Sequence, residues 1–127
     1  MGKHALIAQK EREAQAIEED IVKLKRELEE LKLALSKVKM HHKSYSDTMN
    51  SYKKIEIAKS HWKGQTKTKS DDHLNHLTSA VDNAKTKFEE AVDDLESDVS
   101  KKEAEIANAE LKLAAVNTTI TALKLLL

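Results

Sequence analysis

The chain has no cysteine and no proline, and only two glycines, Gly2 and Gly64. The first absence excludes disulfides and cysteine-based metal sites. The second removes the residue that most often breaks or kinks a helix. Aromatic residues are 3% of the 127, too few to fill a thick core, whereas 35% are charged, a balance that describes one domain of long solvated helices rather than a globule. Neither charge sign is in excess: 22 Lys and Arg stand against 22 Asp and Glu, so the total points to neither a nucleic-acid partner nor an anionic membrane. Long apolar runs are missing too. Only Ala5 to Ala8 precede Lys10-Glu11-Arg12, far short of the roughly 7–15 residues of a secretory h-region, so export through the general pathway is not expected. Leu6 stands where a myristoylation signal after Gly2 needs Ser or Thr. The closing Leu125-Leu126-Leu127 is too short to insert in a bilayer.

What is present is periodicity. Ile17, Ile21, Leu24, Leu28, Leu31, Leu35 and Val38 step by 4, 3, 4, 3, 4 and 3, an unbroken heptad seam. It weakens through His42 and Tyr45 and continues at Met49, Tyr52, Ile55 and Trp62. A second run takes in Leu74, Leu77, Val81, Ala84 and Phe88, and then Val92, Leu95, Val99, Lys102, Ile106, Ala109, Leu113, Val116, Ile120, Leu123 and Leu127. The step from Ala84 to Phe88 to Val92 is 4 and 4, a stutter that locally relaxes a left-handed supercoil.

Between the two runs lies Trp62-Lys63-Gly64, at the midpoint of the chain and at its one interior glycine. Gly64 suits a helix end. Ser70, followed by Asp71 and Asp72, suits the cap and first turn of the next helix. The reading is a single domain over 1–127, all-α: a long antiparallel helical hairpin, coiled-coil-like, with helix 1 over about 5–61, a turn over about 62–70 and helix 2 over about 71–127.

Charge placement tests that fold independently. From Lys37 to Lys69 nine lysines face only Asp47 and Glu56, a net of about +7. From Ser70 to Asp98 nine acidic residues face Lys85 and Lys87, a net of about −7. A fold at Gly64 lays one stretch over the other. Exposed pairs contribute only about 0–1 kcal/mol each, so the pattern selects an antiparallel register more than it stabilises. It also supplies the lysines' counter-charge within the chain, which argues against a nucleic-acid footprint.

Two arms of some 55 residues, about 80 Å long at about 1.5 Å per residue, bury little apolar area along one seam. The last quarter carries more than a two-helix seam requires, with Ala107, Leu111, Ala114, Ala115, Ala122, Leu125 and Leu126 beside the seam residues. The first arm adds Ile7, Val22 and Leu33 outside its own seam. The candidate partner-binding face is therefore Ile106, Leu111, Leu113, Val116, Ile120, Leu123 and Leu126, with Leu24, Leu28 and Leu31 opposite. Self-association into a four-helix bundle is the alternative use of the same surface.

Chemistry is sparse. His61, His73 and His76 flank the turn near Asp71 and Asp72, but without Cys and at a solvated tip they read as surface histidines rather than zinc ligands. His42, at a seam position, reads as packing, with a pH-sensitive weak point as the sharper alternative. No nucleophile–base set or phosphate loop can be assembled on two rods without a pocket, so neither an enzyme nor a cofactor is expected.

A hairpin of this size with Trp62-x-Gly64 in its turn resembles the WXG superfamily of type VII secretion, and most closely the small α-helical proteins encoded beside LXG toxins. The resemblance covers the layout of the whole chain and, in specific residues, Trp62 and Gly64 as a recognition motif. It implies a bacterial targeting factor that binds the helical N-terminal LXG region of a toxin, together with a second small helical protein. Such a factor is cytoplasmic and can leave through type VII secretion with its cargo. The chain departs from secreted members, which carry Tyr-x-x-x-Asp/Glu after the turn. Both tyrosines here precede it, and Tyr52 with Glu56 reads as seam packing. A partner is thus expected to complete the export signal. The alternative reading is a self-associating structural coiled coil in which Trp62 caps the end of the hairpin.

Overall fold

The computed structural model describes residues 2–59 and 64–127, with side chains from 2–52, 54 and 71–127. Two helices account for nearly all of it: α1, Gly2–Lys59, and α2, Gly64–Leu125. The fold is the expected all-α helical hairpin. Each glycine is the first residue of a helix, where its conformational freedom does least harm, and helix-forming Ala, Leu, Glu and Lys fill the interiors.

The second helix begins earlier than the sequence pattern suggests. Residues 65–70, read as turn, are helical, so Ser70 is not a cap. A cap contributes only about 1 kcal/mol, and Gln65, Lys67 and Lys69 are good helix formers with no proline to stop them. Trp62 lies outside the described residues, and Gly64 opens α2. At its far end α2 tightens: the Leu126 N–H donates to the Leu123 carbonyl at 3.2 Å and the Leu127 N–H to that of Lys124 at 3.3 Å. Lys124 in the last turn complements the helix dipole, and Lys3 Nζ donates to the Leu126 carbonyl at 3.0 Å.

Packing divides the chain into two units. The terminal unit pairs residues 1–32 with 97–127. It holds the core: Ile7, Ala14 and Ile21 of α1 with Ile106, Val116 and Ile120 of α2. Ala14, Val116 and Ile120 form one cluster, with Ile17 and Leu113 packed against it. The direction is antiparallel, since Glu11 meets Lys124 at 3.3 Å, Lys25 meets Glu110 at 3.6 Å and Glu27 meets Lys102 at 2.7 Å. Ile7, placed outside the seam by the sequence pattern, is buried in it, because Ile7, Lys10, Ala14 and Ile17 continue the 3-4 step backwards. Val22 and Leu33 stay exposed.

The inner unit spans 33–96. Its seam is only half-buried, through Leu35, Val38, His42, Tyr45 and Met49 on α1 and Leu74, Leu77, Val81, Ala84, Phe88 and Leu95 on α2. At the stutter both Ala91 and Val92 are half-buried, as a locally straightened seam requires. Phe88 stacks on His42, with centroids 5.1 Å apart and planes 10° apart, and meets Tyr45 at 5.7 Å and 48°. His42 therefore occupies its seam position as a packing residue. Tyr52 does not reach the seam and is 47% exposed. Lys39 pairs across the arms with Glu96 at 3.5 Å, joining the basic stretch to the acidic one.

Candidate functional site

The ten apolar residues proposed as a partner-binding face do not share one surface. Ile106, Val116 and Ile120 are buried in the terminal unit. Leu24, Leu28, Leu31, Leu113 and Leu123 are half-buried along the hairpin's own seam. Only Leu111 and Leu126 of the set are exposed, at 70% and 62%, and Leu125 beside them is 82% exposed. The apolar band of α2 is thus two stripes. One closes on α1. The other, centred on Leu111 and Leu125, lies on nearly the opposite side of the helix at about 100° per residue, and no part of the described chain covers it.

A charged residue sits inside the closed stripe. Lys102 occupies a seam position with its side chain 18% exposed, and Nζ lies 2.7 Å from Glu27 Oε2 and 3.3 Å from Glu105 Oε2. The hydrogen bond from Lys102 holds the Glu27 carboxyl below the usual carboxylate range, and the bond to Glu27 raises the Lys102 ammonium. A lone charge in an apolar seam costs stability in any register that separates it from its counter-ion, so the pair selects this register. Lys102 was legible as a seam lysine; Glu27 was missed, though a seam lysine asks for an acid across from it.

The pH dependence of this pair follows from the two directions. Glu27 is depressed in the fold, so its contribution is present above the ordinary carboxylate pKa and fades as pH falls through the folded value. Lys102 is raised, so its contribution is present below the ordinary lysine pKa and fades as pH rises through the folded value. The difference in melting temperature between the wild type and a Glu27→Gln, Lys102→Met double variant is therefore expected to be constant through neutral pH and to shift in the variant's favour in acid. That shift should set in below about pH 4. A margin independent of pH in thermal melts followed by circular dichroism would remove the pair as its source.

Of the remaining sequence candidates, His73 and His76 are exposed on α2, and His61 lies outside the described residues with Trp62. Among the described residues no three His, Asp or Glu side chains gather as metal ligands. No described helix is long and apolar enough to cross a membrane.

Two helices closing on one seam, with a second apolar stripe left outside, define a small helical-hairpin protein whose distinguishing surface is a helix face. The YwqH-like family matches residues 5–125, and the chain belongs to that family. No curated protein and no solved structure matches it.

Proposed function

We propose that this chain is a non-enzymatic, WXG-type targeting factor that binds the helical N-terminal LXG region of a toxin, with a second small helical protein, and directs it from the cytoplasm to type VII secretion. The observation that carries this reading is the YwqH-like match over 5–125, because YwqH-like proteins are associated with LXG toxin systems. The exposed leucines support it: Leu111 and Leu125 of α2, with Leu126 just past its end, form the kind of exposed apolar patch that marks an interaction surface.

Co-expression with the toxin's LXG region and the neighbouring small helical protein, followed by size-exclusion chromatography with light scattering, tests the reading. A defined hetero-complex is expected. A chain that ignores both partners belongs instead to a structural coiled coil.

Trp62→Ala separates recognition from assembly. In this reading the hairpin turn is read by the export machinery and the α2 face by the toxin, so the variant forms the complex normally but secretes toxin at a reduced level. Unchanged secretion, measured in culture supernatant, would leave Trp62 as a turn residue.

A further inference from the structure

In the terminal unit, Ala107, Leu111, Ala114, Thr118, Thr121 and Leu125 step by 4, 3, 4, 3 and 4, and all are exposed. This is the spacing of a helix-pairing seam. Two threonines interrupt it in name only. The Thr118 hydroxyl donates to the Ala114 carbonyl at 2.8 Å and that of Thr121 to the Asn117 carbonyl at 3.0 Å. With the donors satisfied inside their own helix, these side chains can be covered without stranding a polar group. Thr118, Thr121 and Leu125 line a shallow groove with Asn117 and Ala122.

We propose that a second copy of this chain covers this stripe, α2 against α2 and antiparallel, about a twofold axis near residues 112 and 113. Side-chain volume favours that direction. Around this axis Leu111 faces the second copy's Ala114, Ala107 faces its Thr118, and Leu125 faces its Ser100. Each leucine meets a small residue, as close-packed layers require. A parallel pair sets Leu111 on Leu111 and Ala114 on Ala114, which alternates wide layers with under-filled ones.

Charge agrees. Along the flank of the stripe, the antiparallel register brings Glu103 beside the second copy's Lys124 and Glu110 beside its Asn117, each twice by symmetry, with no like-charge contact. The parallel register sets Glu103 beside Asn108 and Glu110 beside Ala115, with no charge pairing. Glu103 makes no ion pair among the described residues. Lys124 already meets Glu11 at 3.3 Å but is 57% exposed and can serve both.

From Ala107 to Leu125 the stripe runs about 27 Å at about 1.5 Å per residue, and such an interface buries on the order of 1,000 Å², the low end of specific contacts. The dimer is accordingly a weak one, dissociating in the micromolar range. The inference goes beyond the targeting reading: the second copy takes the face in the toxin's absence, and the test uses no toxin.

The chain is free of cysteine, so Glu110→Cys and Asn117→Cys can be introduced singly into the full chain and treated with a short bis-maleimide. An antiparallel dimer crosslinks the mixture of the two variants at least about tenfold faster than either variant alone. Faster crosslinking of each variant with itself overturns the orientation. A chain that sediments as a monomer at about 100 µM, well above a micromolar dissociation constant, overturns the dimer. Leu111→Glu is expected to weaken dimerisation at least about tenfold, with helicity by circular dichroism unchanged. Glu103→Lys is expected to weaken it and Glu103→Lys with Lys124→Glu to restore it. Absence of that rescue removes the charge register.

Discussion

Ile120→Asp is expected to unfold the terminal unit. Ile120 is 8% exposed and packs in the cluster with Ala14 and Val116, so the new carboxylate would lie among aliphatic side chains. Truncating a buried isoleucine alone costs about 2–5 kcal/mol, and an unpaired buried charge adds several more unless water reaches it. A domain of this size has about 5–15 kcal/mol in all, and here the core is one row of side chains deep. Thermal and urea melts followed by circular dichroism should show the cooperative transition of the terminal unit lost. Leu111→Asp, nine residues earlier on the same helix but 70% exposed, should melt close to the wild type. If Ile120→Asp melted like Leu111→Asp, the two stripes of α2 would not differ as described.

The contrast between these residues also marks how far the sequence could be read. The seam from Ile17 to Val38 is a pure apolar 3-4 repeat, and it is the seam observed. The repeat failed to announce Ile7 and Ala14 because Lys10 interrupts it; Lys10 is half-buried, which its long aliphatic stem allows, and it reaches Glu13 at 3.2 Å. The start of α2 was not legible, since small polar residues after Gly64 carry too little capping energy to hold back a helix, and the leading side of the expected turn, at Trp62, lies outside the described residues. The candidate interface was legible as an excess of apolar residues in the last quarter, but not as two faces. Periodicity assigns residues to a common side of a helix; which side meets α1 depends on contacts from residues about a hundred positions away. Ile106, Val116 and Ile120 went to the fold, and Leu111 and Leu126 remained outside.

That division determines the variant on which the targeting proposal stands or falls. Changing Leu113 together with Ile120 would damage the hairpin and its interface at once, because Leu113 packs against the core cluster that contains Ile120. Leu111→Asp with Leu125→Asp touches the outer stripe alone, at residues 70% and 82% exposed. The cost to the fold is helix propensity, below about 0.7 kcal/mol per residue, with about 0.3–1 kcal/mol more for a carboxylate in the last turn of α2. The cost to a docked helix is larger. Each leucine covered by a partner contributes about 1.5–3 kcal/mol, and each carboxylate in its place must be desolvated against an apolar partner. A combined loss of roughly 4 kcal/mol corresponds to about a thousandfold in affinity. The double variant is therefore expected to keep the wild-type circular dichroism spectrum, to melt within about 10 °C of the wild type, and to lose co-purification with the toxin's LXG region, with titration calorimetry showing no heat of binding. Retained binding by an intact double variant would move the docking surface off this face of α2, to the side of α1 where Val22 is exposed.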